Sequence, residues 1–193
     1  MEALLISTGV VALAEIGDKT QLLAFVLAAR FRKPWPIIIG ILIATLVNHG
    51  LAGIVGTWIT ALLSPETLRW LLIVSFAAMA VWILIPDKLD EEEANLSHAG
   101  VFLTTFVTFF LAEMGDKTQI ATVALAAHYQ GLIMVVMGTT IGMMIANAPA
   151  VLLGDRIASR MPTRLVHVIA ACVFLVLALV LLFNLDGMGA AAG

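Results

Sequence analysis

The stretch Glu15-Ile16-Gly17-Asp18-Lys19-Thr20 places three charged residues inside the first long apolar segment of the chain. The stretch Glu113-Met114-Gly115-Asp116-Lys117-Thr118 does the same in a second apolar segment, 98 residues later (113 − 15 = 98). We call these stretches motif 1 and motif 2. Charged groups within a bilayer are rare, usually face a protein interior or a wet cavity, and mark pathways for ions or substrates. The motifs therefore predict both the type of fold and the position of the functional site.

The composition places the chain among integral membrane proteins. Of its 193 residues, 62% are hydrophobic and only 12% are charged, whereas about 25% of the residues of a soluble domain are charged. The formal net charge is −3 and no basic cluster is present, which argues against a nucleic-acid partner. We expect the lipid bilayer and small ions to be the partners of this protein. The sequence does not indicate an oligomeric state.

The apolar segments predict six transmembrane helices, at about 3–30, 35–60, 68–86, 99–128, 131–154 and 163–185. About 20 apolar residues are needed to cross the hydrocarbon core, and neither half of a motif-containing segment reaches that length. We therefore expect one continuous helix through each motif, with the motif at mid-depth, rather than two short helices. A glycine such as Gly17 would allow local unwinding, as in transporter helices that expose backbone carbonyls.

The second half of the chain repeats the first. Residues 13–29 and 111–127 are identical at 11 of 17 positions. The repeats occupy 1–86 and 99–193, with three predicted helices each, and an acidic soluble linker at 87–98 joins them. An odd number of helices per repeat gives the two repeats opposite orientations, as in inverted-repeat transporters with a midplane substrate site. The predicted fold class is an all-α integral membrane protein with six transmembrane helices in two inverted three-helix repeats.

The distribution of lysine and arginine predicts the orientation of the chain. Seven of these residues lie in the first, third and fifth loops, whereas the second and fourth loops hold only Arg69. Loops rich in lysine and arginine stay in the cytoplasm. Both termini should therefore lie outside, and the linker at 87–98 should be cytoplasmic.

The acidic residues of the motifs predict one shared metal site. In an intact helix, the two acids of each motif are three residues apart and share a face. A two-fold axis between inverted repeats would bring four carboxylates together, those of Glu15, Asp18, Glu113 and Asp116. Lys19 and Lys117 would balance part of this charge. About two negative charges would remain, which matches a divalent cation.

The ligand types narrow the choice of ion. Oxygen ligands suit Mg²⁺, Ca²⁺ and Mn²⁺, whereas zinc and copper sites favour Cys and His, and neither motif contains Cys or His. Asn48 matches Asn147 at an offset of 99 residues, so Ala148 occupies the place that matches His49. His49 therefore has no repeat partner, and a packing or hydrogen-bonding role is expected for it. Further oxygen donors, or groups that orient the carboxylates, are Thr20, Gln21, Asn48, Thr118, Gln119 and Asn147.

The doubled motif, in a six-helix chain with an acidic central linker, resembles the Gdt1-like cation transporters (uncharacterised protein family 16). That family includes bacterial manganese exporters of the MneA type and eukaryotic Golgi Ca²⁺/Mn²⁺ transporters. The resemblance covers the whole chain and implies cation/proton antiport with the acids of the motifs as ligands. The short chain is similar to the bacterial members, which implies manganese efflux across a bacterial inner membrane. Composition does not distinguish Mn²⁺ from Ca²⁺.

Transport energetics favour an antiporter that carries Mn²⁺ or Ca²⁺ as substrate and holds no permanent cofactor. Exporting a dication against an inside-negative potential costs about 4.6 kcal/mol per 100 mV. The sequence has no phosphate-binding loop of the G-x-x-x-x-G-K-[ST] type, so a proton gradient is the available energy source. A Ca²⁺/H⁺ antiporter, a cation channel and an amino-acid exporter remain as alternatives. We find no group of residues in the sequence that indicates a catalytic site, so an enzyme is not expected.

The charge bias predicts that the linker is shielded from the cell exterior. In a Cys172→Ala background, a cysteine introduced within 87–98 should resist an impermeant thiol reagent applied to intact cells. A Gly189→Cys variant should react with the same reagent, because the C-terminus is expected outside. Labelling of the linker in intact cells would reverse the predicted orientation, and permeabilised cells supply the control for cysteine reactivity.

Overall fold

The computed structural model describes residues 1–85, 100–153 and 163–183, and these residues form only α-helices and short connections. This confirms the all-α prediction. In chain order the helices are α1 Glu2–Glu15, α2 Lys19–Phe31, α3 Pro34–Leu62, α4 Pro65–Trp82, α5 Val101–Glu113, α6 Lys117–Tyr129, α7 Leu132–Leu153 and α8 Thr163–Leu182. The predicted linker at 87–98 and the chain beyond Phe183 lie outside the described residues.

The expectation of one continuous helix through each motif is wrong, because both helices break at the motif. Helix α1 ends at Glu15 and α2 begins at Lys19, while α5 ends at Glu113 and α6 begins at Lys117. The break lies at the glycine, which has φ +85° at Gly17 and φ +75° at Gly115. Glycine has no Cβ and adopts this left-handed conformation without steric cost. The left-handed conformation of the glycine, rather than the length needed to span the bilayer, determines where each helix ends.

The residues after each glycine start a new helix. Asp18 and Asp116 are the N-caps of α2 and α6, and their carboxylates accept hydrogen bonds from the backbone amides of Lys19 and Thr118. Three residues after each cap, a glutamine reaches back to the glycine. The amide oxygen of Gln21 accepts from Gly17 N at 2.9 Å, and that of Gln119 accepts from Gly115 N at 2.6 Å. This arrangement is a variant of the capping box, and it satisfies backbone groups that the break leaves exposed.

The outer surface of the described residues is much more apolar than that of a soluble protein. Large apolar side chains such as Trp58, Val74 and Leu111 are exposed on the outer surface. The interior contains buried threonines, amides and acids, including Thr45, Thr122 and the motif acids. Among the described helices, α3, α7 and α8 are each long and apolar enough to cross a membrane. An apolar exterior, with the charged residues of the helices held inside an otherwise apolar core, is the arrangement expected of a protein surrounded by lipid.

Helix packing follows the repeat. Helix α1 packs on α7, and its repeat counterpart α5 packs on α3, while α4 packs on α8. The α1–α7 contact is close because α7 presents glycines to it. A Cβ added to Gly142 would lie 2.7 Å from the carbonyl oxygen of Thr8, and one added to Gly138 would lie 2.6 Å from that of Leu4. Small residues at such contacts let helix backbones approach within a membrane.

The close α1–α7 contact predicts that a methyl group at Gly142 destabilises the protein. The added Cβ would clash with the backbone of α1 unless α1 moved. Overpacking of this kind lowers the free energy of unfolding by about 1–3 kcal/mol. Gly142→Ala should therefore lower the thermal unfolding midpoint in detergent. Gly9→Ala is the matched control, because Gly9 lies on α1 with no atom within 4 Å of an added Cβ. That substitution should be neutral or stabilising, since alanine favours helix by up to about 1 kcal/mol. Equal effects of the two substitutions would contradict the packing account.

Candidate metal centre

The two helix breaks bring acids of both motifs to one point in the interior. Glu15 and Glu113 are the last residues of α1 and α5, and Asp116 caps α6. Each of the three offers a carboxylate oxygen, and these oxygens lie within 4.8 Å of one another. Glu15 and Glu113 are fully buried and Asp116 is 5% exposed. Three carboxylates at this range in a buried setting repel one another, so a bound cation would stabilise the group.

The break changes how the two acids of each motif are related. The expectation that Glu15 and Asp18 share one face of an intact helix is wrong, because the chain turns between them. Glu15 instead lies at the C-terminal end of one helix and Asp18 at the N-terminal end of the next. A helix C-terminus carries partial negative charge and an N-terminus partial positive charge. The glutamate therefore lies at a helix end whose partial charge favours a cation, while the aspartate stabilises a helix start.

Asp18 pairs with the lysine of the other motif. The ammonium nitrogen of Lys117 lies 3.9 Å from a carboxylate oxygen of Asp18, and it also donates a hydrogen bond to the carbonyl oxygen of Ile85 at 3.0 Å. Both side chains are buried, whereas Lys19, the counterpart of Lys117, is only half-buried. The structure thus gathers three of the four predicted acids into one group and places the fourth against an ammonium group of the opposite repeat.

Hydroxyl and amide groups orient the glutamates. The hydroxyl of Thr20 donates to Glu15 Oε1, and that of Thr118 donates to Glu113 Oε2 at 2.9 Å. Asn147 on α7 also donates to Glu15 Oε1, at 3.0 Å. Such bonds fix the carboxylate planes and leave the second oxygen of each glutamate for another partner. Thr20, Thr118 and Asn147 therefore act on the carboxylates as donors in this conformation.

The glutamines and Asn48 hold the broken segments against the neighbouring repeat. The amide nitrogen of Gln21 donates to the carbonyl oxygen of Ala146 at 3.0 Å, and that of Gln119 donates to the side-chain oxygen of Asn48. Asn48 also donates to the carbonyl oxygen of Phe110 at 3.3 Å. These side chains connect each motif to α3 or α7, so they position the break.

Several buried oxygens at the site have no hydrogen-bond donor among the described residues. They are Glu15 Oε2, Glu113 Oε1 and Asn147 Oδ1. A carboxylate or amide oxygen can only accept hydrogen bonds, and buried polar atoms almost always have a partner. Three such oxygens from three helices, beside a third carboxylate, form a donor set of the kind that hard divalent cations bind.

His49 is a residue of this site that the sequence reasoning set aside. It is fully buried on α3, and its Nε2 lies 3.8 Å from Glu113 Oε2. Asn147 occupies the corresponding position beside Glu15. The contacts therefore pair His49 with Asn147, at the same spacing of 98 residues as the motifs, and not Asn48 with Asn147. Keeping the motif spacing constant along the chain would have identified this pair from the sequence.

Comparisons with known proteins identify one matching family and several similar proteins. The family described as "Divalent cation/proton antiporter GDT1" matches residues 3–91 and 101–189. A Vibrio cholerae protein named "Putative manganese exporter" is 54% identical over 184 residues, which cover 95% of this chain and 92% of that protein. A GDT1-like protein of Synechocystis is 30% identical, over 88% of this chain and 91% of the relative. GDT1-like protein 3 of Arabidopsis thaliana is 29% identical, over 90% and 68% of the two chains.

No solved structure matches the chain. The family match spans both motifs and most of the chain, and it confirms the resemblance inferred from the doubled E-x-G-D-K-T stretch. The protein is therefore a member of the GDT1 family of divalent cation/proton antiporters.

Proposed function

We propose that the protein exports Mn²⁺ in exchange for protons through one site at the middle of the membrane, formed by both motifs. The observation that carries the proposal is the group of three buried carboxylates from two repeats, with oxygens that lack donors among the described residues. Asp18, paired with Lys117 in this conformation, completes the set of acids when that pair opens. The four carboxylates and two lysines of the motifs leave two negative charges, which matches one divalent cation.

The proposed architecture has six membrane crossings. Helices α1 and α2 contain 14 and 13 residues, so each is about 20 Å long, short of the ~30 Å hydrocarbon core. Together they are long enough to cross once, and the same holds for α5 with α6. Broken helices of this kind occur in transporters at membrane depth where they line a cavity or site. The crossings then number three in residues 1–86 and three in residues 99–193, on either side of the linker at 87–98.

Equivalent residues that touch each other support a two-fold relation between the repeats. Glu15 and Glu113 are equivalent and meet at the carboxylate group. Phe76 and Phe174 are also equivalent, and their ring centroids lie 6.3 Å apart. Residues related by a two-fold axis meet only where the axis passes between them. With three crossings per repeat, such an axis lies in the membrane plane, so the repeats are inverted and the metal site lies near mid-depth.

The relatives favour Mn²⁺ as the substrate. The Vibrio cholerae protein that is 54% identical to this chain over 184 residues is named "Putative manganese exporter". The two chains align over almost their full lengths. Ca²⁺/H⁺ exchange is the second candidate, because carboxylate and amide oxygens suit Ca²⁺ equally well. We place the protein in a bacterial inner membrane with both termini outside, on the charge bias of the loops.

Proton exchange follows from the chemistry of the site. Carboxylates bind a metal ion only when deprotonated, so metal and protons compete for the same oxygens. Protons that enter from an acidic exterior would displace the cation outward, and the emptied site would lose protons to the cytoplasm. Thr20 and Thr118 would keep the glutamates oriented in both states through their hydroxyl donors.

Removing one charge from the carboxylate group should stop transport. Asp116→Asn keeps the helix cap, because asparagine caps helices as well as aspartate does, but it removes a ligand charge. We expect Mn²⁺ transport in proteoliposomes to fall by at least about tenfold, since changes even to groups around metal ligands cost 10–100-fold. Asp18→Asn should also reduce transport.

Glu66→Gln is the matched control, because Glu66 is an exposed acid in the first turn of α4, away from the site. It should transport Mn²⁺ at the rate of the unmodified protein. Wild-type transport by both aspartate variants would rule out the shared carboxylate site.

Coupling to protons is tested in sealed vesicles that contain a pH dye. An inwardly directed proton gradient should drive Mn²⁺ outward, and Mn²⁺ affinity should fall as pH decreases, because protons occupy the same oxygens. Exchange of two protons per Mn²⁺ would respond only to the pH gradient, whereas exchange of three would respond to the membrane potential as well. Mn²⁺ flux without proton counterflow would favour a channel over an antiporter.

A further inference from the structure

We propose that His49 is a nitrogen ligand of the transported cation and that it makes the site selective for a first-row transition dication over Ca²⁺ and Mg²⁺. This inference deepens the proposed function and rests on it. It concerns a residue outside both motifs, contributed by α3. The motif acids supply charge to the site, and His49 would supply the discrimination between ions.

The environment of His49 fits a ligand better than a packing residue. The side chain is fully buried, and neither ring nitrogen has a hydrogen-bond partner among the described residues. Its Nε2 lies 3.8 Å from Glu113 Oε2, which is too long for a hydrogen bond. Two atoms that each bind one cation at about 2 to 2.5 Å lie about 3 to 4 Å apart at ordinary ligand angles. The observed separation therefore suits two ligands of one ion.

The repeat supports this assignment from a second direction. His49 and Asn147 are equivalent, and each lies beside the glutamate of the opposite repeat. Asn147 uses its amide nitrogen to donate to Glu15, and its oxygen has no donor among the described residues. One half of the site therefore presents an amide oxygen and the other half an imidazole. His49 would thus add one nitrogen ligand to a site in which the two repeats otherwise contribute equivalent oxygen ligands.

One imidazole changes which ions the site prefers. Ca²⁺ and Mg²⁺ are hard cations that take oxygen ligands. First-row transition dications also accept imidazole nitrogen, with affinity that rises from Mn²⁺ to Cu²⁺. Motif carboxylates together with the imidazole of His49 would therefore hold Mn²⁺ while they disfavour Ca²⁺. The same chemistry predicts that Fe²⁺ and Co²⁺ compete with Mn²⁺ for the site.

The direct test is pulsed electron paramagnetic resonance of the full-length protein in detergent, loaded with Mn²⁺ alone. A nitrogen bound to Mn²⁺ modulates the electron spin echo, and labelling histidine with ¹⁵N changes that modulation. We expect the ¹⁵N-dependent signal in the unmodified protein and its loss in His49→Asn, which reproduces the residue found at the equivalent position 147. His128→Asn is the matched control and should keep the signal, because His128 packs against Phe76 and Tyr129, outside the site.

The outcomes separate the ligand assignment from the proposed function. Suppose that Mn²⁺ binds and that Asp116→Asn abolishes this binding. If the bound Mn²⁺ then shows no nitrogen modulation, or if the modulation persists in His49→Asn, the role of His49 is overturned and the carboxylate site stands. Absence of Asp116-dependent Mn²⁺ binding overturns the site itself, and the role of His49 with it. The unmodified protein by itself shows whether any histidine nitrogen binds Mn²⁺, so a folding defect in His49→Asn cannot hide a missing signal.

Selectivity supplies a second readout. In His49→Asn proteoliposomes, the excess of Ca²⁺ that halves Mn²⁺ uptake should fall by roughly tenfold, the lower end of the effect of changes around metal sites. His128→Asn should leave that excess unchanged. An unaltered Mn²⁺ to Ca²⁺ preference in a His49→Asn variant that still transports Mn²⁺ would overturn the selectivity role.

Discussion

The structure depends on the burial of three carboxylates in a molecule whose exterior is apolar. Each charge is costly at that depth, and the cost is tolerable only if cations, protons or hydrogen-bond donors surround it. The chain supplies donors from Thr20, Thr118 and Asn147, and an ammonium group from Lys117 for the fourth acid. The group still lacks positive charge, which a bound cation would supply at the proposed site.

The helix breaks impose a second constraint, because the backbone amides and carbonyls freed at each break need hydrogen-bond partners. A carbonyl or amide in lipid that lacks a partner costs several kcal/mol. In both motifs a glycine turns the chain, an aspartate caps the next helix, and a glutamine satisfies the glycine amide. Each short stretch thus ends one helix and starts another within a few residues. The glutamate is left at a helix C-terminus, where the partial negative charge of the helix adds to the attraction for a cation.

The two repeats are similar but not identical, and their differences lie at the site. Lys117 is buried against Asp18, whereas Lys19 is half-buried, so the two sides of the carboxylate group are not equally enclosed. His49 and Asn147 differ chemically at equivalent positions, so the proposed site would offer a single ion unequal ligands from the two repeats.

The membrane class, the helical fold, the repeat and the acidic residues of the motifs could be predicted from the sequence, because hydropathy, spacing and charge are properties of neighbouring residues. The sequence also carried the family resemblance, since the motif is short and doubled. It did not determine the helix breaks, because spanning length and glycine conformation gave opposite expectations and only the capping bonds of Asp18 and Gln21 decide between them. Tertiary structure alone decided that Asp18 meets Lys117 and that His49 faces Glu113. Those contacts join residues more than sixty positions apart, and they depend on how the helices of the two repeats pack around one point.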